Sequence, residues 1–119
     1  MRMLLRVSIP VETGNAAAKA GTLGSTIEAI IAPLKPEAVY FFADEKGQRC
    51  GAIVFDMKDS SQVPAVAEPW FLAFNAQIHL QPVMSPQDLA KAGPSIGKAG
   101  KARLEGANSR ADSVVGVKP

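Results

Sequence analysis

One polar row in the second half of the chain contains the residues best suited to chemistry. In the segment AQIHLQPVM, Gln77, His79 and Gln81 alternate with Ile78 and Leu80. His79 is the only histidine, and an imidazole titrates near neutral pH, so it is a candidate general acid or base. Alternation with a period of two is typical of a β-strand with one polar face. A strand over residues 76–83 is therefore predicted to present His79 on a polar surface.

The elements that must position this row follow from the apolar spacing. A first strand is predicted over residues 3–9, with Arg6 and Ser8 on its mixed face. Apolar residues then recur at threes and fours over residues 15–34, as in a helix that buries one stripe. Gly21 and Gly24 weaken this helix, and the capping-box spacing of Ser25 with Glu28 indicates a second piece that starts near Ser25.

Two further strands and a second helix complete the pattern. The runs 38–43 and 49–56 are rich in β-prone residues, and the polar segment between them predicts a hairpin. Asp59 or Ser60 is suited to cap the following helix, and Pro64 is tolerable in its first turn. Pro69 is predicted to kink this helix or to end it early. Its apolar stripe, which includes Trp70, Phe71 and Phe74, is predicted to be core.

This order of elements predicts an α+β fold of the ferredoxin-like βαββαβ type. Right-handed crossovers give a four-stranded antiparallel sheet with both helices on one face. The fourth strand then lies beside the first, so Arg6 and Ser8 neighbour the polar row on the helix-free face. The same face is expected to present the following residues of the middle strands: Tyr40, Phe42, Arg49, Gly51, Ile53 and Phe55. So much apolar surface is unusual for a monomer, and it predicts a homodimer with two sheets facing each other.

The helix-free face is the predicted ligand site, and each polar residue on it has an expected role. Arg6 would clamp an anion and His79 would carry a proton, while Ser8, Gln77 and Gln81 would hold a carboxylate or polarise a carbonyl. Tyr40 would donate a hydrogen bond and Arg49 would pair with an acidic group. The alternative is that the row is only a solvated or dimer-facing surface, with Tyr40 belonging to the core.

Metal and cofactor sites are not expected. Cys50 is the only cysteine and is interpreted as a structural thiol, because no base is predicted beside it. The acidic residues Asp44, Glu45, Asp56 and Asp59 lack the order of a calcium loop. Haem would require His79 as its axial ligand, and this role is not predicted. Any catalysis is therefore expected to be cofactor-free.

The charge distribution divides the chain into a body and a tail. Residues 1–90 contain seven Lys and Arg against nine Asp and Glu, whereas residues 91–119 contain six against two. A globular domain is predicted over residues 1–92, with a short helix start at Ser85. A basic tail over residues 93–119 is expected to be flexible unless a partner holds it. One cysteine, no signal-peptide core and no long apolar run predict a cytoplasmic protein without a membrane segment.

Nucleotide and RNA binding are not expected. GPSIGK at residues 93–98 is one residue short of a phosphate loop, and no strand precedes it. RCGAIVF at residues 49–55 is superficially similar to an RNA-recognition strand, but Gly51 and Ile53 stand where stacking aromatics are needed. Specific nucleic-acid recognition is therefore not predicted.

Three stretches of the sequence resemble a known group. GAIVFDMKD, EPWFLAFNAQIHLQPVM and the following SPQDL are similar to small uncharacterised bacterial proteins of the dimeric α/β-barrel superfamily. The resemblance covers about residues 1–92. It implies two sheets that close into a barrel, with a cavity on the helix-free side. Members include isomerases, cofactor-free monooxygenases, haem-binding peroxidases and proteins without known activity, so the resemblance implies no catalytic residue.

Two functions remain open at this point. The first is binding of a small acidic or carbonyl-bearing molecule in the cavity between two sheets, with cofactor-free proton chemistry such as isomerisation if the protein is an enzyme. The second is a non-catalytic association module without a ligand cavity. The sequence does not decide whether the protein is an enzyme.

Overall fold

The computed structural model describes residues 1–117, and the side chains of residues 1–107. The elements, in chain order, are β1 (Arg2–Ile9), α1 (Val11–Ala20), α2 (Leu23–Ile31), β2 (Ala38–Ala43), β3 (Arg49–Asp56), α3 (Val63–Phe74), β4 (Gln77–Pro82) and α4 (Pro86–Val117). Short 3-10 turns follow α2 and precede α3. The chain forms two compact units, Met1–Val83 and Met84–Pro119.

The four strands form one antiparallel sheet in the order β2-β3-β1-β4. Strand β1 lies in the centre, between β3 and β4, although β4 is the last strand in the sequence. This order, with helices between β1 and β2 and between β3 and β4, is that of the predicted ferredoxin-like α+β fold. The predicted pairing of the first and fourth strands is therefore confirmed.

Alternation along β1 builds the centre of the core. Leu5 is fully buried and Val7 is 1% exposed, whereas Arg6 between them is exposed. The buried set packs against α3, whose Trp70 and Phe74 are each 2% exposed. The prediction that these two aromatic residues are core is confirmed.

The predicted break between α1 and α2 is present at Gly21. Its φ of 75° is left-handed, and the N–H groups at the helix end bond to Ala17 and Ala18. The second helix begins at Leu23 rather than near Ser25. The hydroxyl of Ser25 donates to the Thr22 carbonyl oxygen at 3.2 Å, so it does not cap a new helix.

Pro69 does not end α3. Asp59 accepts a hydrogen bond from the Ser61 N–H at 2.8 Å before the helix, and Asn75, with a φ of 53°, ends it. A proline inside a helix removes one hydrogen bond and typically costs about 3 kcal/mol. Burial of Trp70 and Phe74 beyond Pro69 compensates for this loss, because tertiary packing supplies most helix stability in proteins.

Strand β3 presents the opposite set of side chains from the predicted one. Ile53 pairs with Leu5 and Arg49 pairs with Ile9, so both face the helices. The prediction that Arg49, Gly51, Ile53 and Phe55 lie on the helix-free face is wrong for all four. That face of β3 instead carries Cys50, Ala52 and Val54. A shift of one residue in register reverses every side chain of a strand, because the side-chain period is two.

The C-terminal unit contains a longer helix than predicted. The structure confirms the helix start, since Ser85 Oγ accepts from the Asp88 N–H at 3.1 Å and Asp88 accepts from the Ser85 N–H at 3.0 Å. The helix then continues to Val117 instead of ending near Ala92. The expected boundary after residue 92 therefore falls inside α4, and residues 118–119 of the expected tail lie outside the described part. No helix in the described residues has the length and hydrophobicity needed to cross a membrane.

The carboxylate of Asp44 organises the turn between β2 and β3. Its Oδ1 accepts from the backbone N–H groups of Gln48 and Lys46, each at 2.9 Å. The bond from Gln48 is the main reason that the pKa of Asp44 is lowered from its ordinary value of 3.8. Because the pKa is lower in the folded state, Asp44 stabilises the fold above the unfolded-state pKa. This stabilisation is lost as the pH falls through the folded-state pKa.

We expect Asp44→Asn to make stability less dependent on pH in the acidic range. The wild-type chain loses the contribution of this carboxylate below pH 3.8, whereas the amide cannot be protonated there. Urea unfolding at about pH 6 and about pH 3 measures the difference, with Glu45→Gln as a control that removes a charge from the same turn. Equal pH dependence in the wild type and Asp44→Asn would contradict the role of the carboxylate.

Candidate functional site

Arg6 and His79 are direct cross-strand partners on the helix-free face. Arg6 also pairs with Ala52, which in turn pairs with Tyr40. One rung therefore crosses all four strands in the order Tyr40, Ala52, Arg6, His79. Neighbouring strands are about 4.8 Å apart, so Arg6 and His79 are within reach of one small molecule. Tyr40 lies two strands from Arg6, with the small side chain of Ala52 between them.

The adjacent rung contains Phe42, Cys50, Ser8 and Gln77. The Ser8 hydroxyl and the Cys50 thiol are in hydrogen-bond contact, with Oγ and Sγ 3.4 Å apart. Cys50 Sγ is also 3.5 Å from the Gln48 carbonyl oxygen, and the cysteine is buried. The Cys50 thiol on β3 thus helps to orient the Ser8 hydroxyl on β1. This contact was not predicted, because β3 was expected to turn its other face outward.

Gln81 lies on a third rung, where it pairs with Leu4. Leu4 pairs in turn with Val54, and Val54 with Ala38. Gln81 is therefore on the predicted face, but its rung is apolar apart from its own side chain. The chemistry of the face is concentrated at the end of the sheet that holds His79 and Gln77.

A groove of about 440 Å³ runs along β4 at this end of the sheet. Four of the predicted site residues line it, namely Arg6, Ser8, Gln77 and His79. Because β4 is an edge strand, Ile78 on its other face also lines the groove. Phe71 of α3 lines it as well. Phe71 is 39% exposed, so it forms an apolar wall of the groove rather than the core position expected of it. Tyr40 and Gln81 do not line this groove.

The groove contains a positively charged group that has no counter-ion among the described side chains. Arg6 and His79 are both exposed in the single chain. Among the described side chains, no Asp or Glu forms an ion pair with Arg6. An uncompensated guanidinium favours an anionic or strongly polarised oxygen ligand. No group of three or more His, Cys, Asp or Glu side chains in the described residues is placed to hold a metal ion.

Arg49 does not belong to this groove. Its Nη1 donates to Asn15 Oδ1 of α1 at 3.0 Å, on the helix side of the sheet. There it lines a second pocket, of about 240 Å³, between the sheet and the helices. This pocket was not predicted, because in the sequence the residues that line it have the pattern of core residues.

The fold has a counterpart among solved structures. The chain is similar to 5-chloro-2-hydroxyhydroquinone dehydrochlorinase (TftG) from Burkholderia phenoliruptrix AC1100, in complex with 2,5-dihydroxybenzoquinone. The similarity has a TM-score of 0.55 and 13% sequence identity, and it covers 73% of this chain and 97% of TftG. At this identity the similarity concerns the fold. No protein-family model and no curated protein sequence matches the chain.

Proposed function

We propose that this chain forms a homodimer that binds a small acidic or carbonyl-bearing molecule on the helix-free face of its sheet. The observation that carries the proposal is the cross-strand pair of Arg6 and His79, which lines one groove together with Ser8 and Gln77. A guanidinium, an imidazole, a hydroxyl and an amide on two neighbouring strands provide hydrogen bonds and a positive charge to one ligand.

The chemistry that suits this arrangement is cofactor-free proton transfer. Arg6 holds a carboxylate or an enolate oxygen, and His79 on the neighbouring strand accepts or returns a proton. Isomerisation of a carbonyl compound needs only these two functions. The ligand in the TftG structure, 2,5-dihydroxybenzoquinone, is both acidic and carbonyl-bearing, and it supports this ligand class for a protein of the same fold.

The proposed dimer brings a second sheet over the open face, as the resemblance to dimeric α/β-barrel proteins implies. Tyr40 is 68% exposed and Phe42 is 40% exposed on this face of β2. Burial of such aromatic surface is favourable, and it would close the groove into a cavity. The single cysteine agrees with a reducing cytoplasmic compartment.

Binding of 2,5-dihydroxybenzoquinone tests the proposed site. We expect the wild-type protein to bind it and Arg6→Gln to weaken binding by about tenfold or more, because a charge-assisted hydrogen bond is lost. His79→Ala is expected to weaken binding and to abolish any catalysed exchange of an acidic carbon-bound proton for deuterium. Calorimetry gives the affinity, and proton NMR in deuterated water gives the exchange.

Lys19→Gln is the matched control for the loss of charge, because Lys19 is an exposed residue of α1. It should bind the quinone as the wild type does. Circular dichroism and sedimentation must first show that each variant keeps the fold and the oligomeric state. Unchanged binding and exchange in both Arg6→Gln and His79→Ala would contradict the proposal that this groove is the ligand site.

The alternative function is a non-catalytic association module. The aromatic residues of β2 favour it, since Tyr40, Phe41 and Phe42 are all exposed on an edge strand with unpaired backbone groups. In this case the dimer would form without an enclosed cavity. A dimer structure in which Arg6 and His79 line a closed space of small-molecule size would exclude this alternative.

A further inference from the structure

The pocket between the sheet and the helices lies on the face of the sheet opposite to the groove at Arg6 and His79. Its volume is about 240 Å³. Apolar residues of β1, α2, β2 and α3 line it, including Val7, Ile9, Leu23, Ile27, Phe41 and Trp70, and β3 contributes Cys50 and Gly51. An apolar cavity of about 150 Å³ is large enough for benzene. The pocket therefore has room for a single ring with a short substituent.

Trp70 forms part of the pocket wall and contains a buried polar atom. Its side chain lines the pocket and is 2% exposed. The indole Nε1 is buried within the wall and has no hydrogen-bond partner among the described residues. A buried donor without an acceptor costs about 1–3 kcal/mol, and buried indole N–H groups usually have a partner. The pocket therefore offers a ligand the apolar part of the Trp70 side chain rather than this N–H group.

Arg49 is the only charged residue in the described lining of the pocket. It is solvent-exposed, so it lies where the pocket opens. Its Nη1 bonds to Asn15, and no described carboxylate forms an ion pair with it. Gly14 makes this position accessible, since a Cβ there would be 2.7 Å from Arg49 Nη1. The guanidinium of Arg49 thus lies against α1, where it bonds to Asn15, and its other N–H groups remain able to donate to an anion.

We propose that this pocket binds a small organic acid with an apolar body, of the size of an arylacetate. The ring occupies the apolar space between Val7, Ile27 and Trp70, and the carboxylate pairs with Arg49 at the opening. This site is separate from the groove at Arg6 and His79, which lies on the opposite face of the sheet. It accounts for two observations together: the apolar cavity and a guanidinium at its opening that forms no ion pair with a described carboxylate.

The only tryptophan of the chain makes the test direct. Phenylacetate is titrated into the full chain, while the fluorescence of Trp70 and its single indole N–H signal in proton–nitrogen NMR spectra are followed. We expect a saturable change in both signals. Phenylacetamide, which has the same shape without the charge, is expected to bind about tenfold more weakly, because a charge-assisted bond to Arg49 is lost.

Variants then separate the parts of the site. Arg49→Gln should weaken phenylacetate binding about tenfold, whereas Lys46→Gln removes a charge from the nearby turn and should leave it unchanged. Gly51→Val should also abolish binding, since Gly51 lines the pocket and a side chain there grows toward it. The Cβ position itself is free of clashes, its nearest neighbour being Phe41 at 3.6 Å, so the variant should fold.

Three outcomes would overturn the proposal. They are the absence of a saturable change up to the solubility limit of phenylacetate, equal binding of phenylacetate and phenylacetamide, and equal binding by wild type and Arg49→Gln. Arg6→Gln and His79→Ala should leave the Trp70 signals with phenylacetate unchanged. Different variants therefore test the proposed ligand site in the groove and the proposed ligand site in this pocket.

Discussion

Trp70→Ala is expected to reduce the free energy of unfolding by about 3–5 kcal/mol, as Trp→Ala substitutions in cores do. The Trp70 side chain is 2% exposed and belongs to the cluster that joins α3 to β1 and β3. Its removal enlarges an existing pocket of about 240 Å³, so the surroundings are already poorly placed to fill the space. Urea unfolding followed by circular dichroism measures the loss.

The neighbouring aromatic residue provides the matched control. Phe71 is also in α3 but is 39% exposed, so Phe71→Ala should cost less than half as much. Trp70→Phe should fall between the two, because it keeps a ring and removes the indole N–H that lacks an acceptor. Similar losses in Trp70→Ala and Phe71→Ala would contradict the assignment of Trp70 to the core.

The order of the strands was predictable because each strand ends in a clear signal. Pro10 follows β1, the polar residues around Gly47 separate β2 from β3, and Asn75 separates α3 from β4. Alternation in β1 and β4 also carries information about faces, since Arg6 and His79 are polar residues between apolar ones. Their placement as neighbours on the helix-free face followed from the fold and is confirmed by the register.

The face of β3 was not predictable from its own residues. Every side chain from Cys50 to Phe55 is small or apolar, so the residue pattern does not show which face of β3 is buried against the helices. Only pairing with β1 decides it, and Ile53 lies opposite the fully buried Leu5. The consequence for the site is large, because Arg49 leaves the predicted surface and Cys50 enters it beside Ser8.

The length of α4 was underestimated for a different reason. The small, polar and basic composition of residues 93–119 predicts a flexible tail, and its glycines disfavour a helix interior. The same segment contains a helical signal, because Leu89, Ile96 and Leu104 are spaced by seven and eight residues. The structure follows this spacing, and all three side chains are exposed on α4.

The pocket beneath α2 could not be predicted from the sequence at all. A cavity arises where side chains from several elements fail to fill the space between them, and this depends on packing rather than on any local pattern. Leu23, Ile27 and Trp70 have the spacing of ordinary core residues. Only the packed structure shows that Arg49 and Trp70 line one common pocket.

Val54→Asp is expected to dissociate the proposed homodimer while each chain remains folded. Val54 lies on the helix-free face, paired with Leu4 and Ala38, so no cation is a direct neighbour in its rung. In a dimer with facing sheets the new carboxylate would lose its hydration, at a cost of about 3 kcal/mol or more that an ion pair with Arg6 on the adjacent rung would not fully offset. This corresponds to a rise in the dimer dissociation constant of more than about 100-fold. Sedimentation velocity over a concentration series measures it.

Two further variants separate burial of the charge from other effects of substitution. Val54→Thr keeps the shape and β-propensity of valine without a charge, so it should remain largely dimeric. Leu72→Asp adds the same charge to α3 at a residue that is 82% exposed, on the opposite side of the sheet, and should leave the dimer intact. If Leu72→Asp dissociates the dimer and Val54→Asp does not, the helices rather than the sheets form the interface. The groove at Arg6 and His79 would then stay open to solvent, and a ligand there would be held by one chain alone.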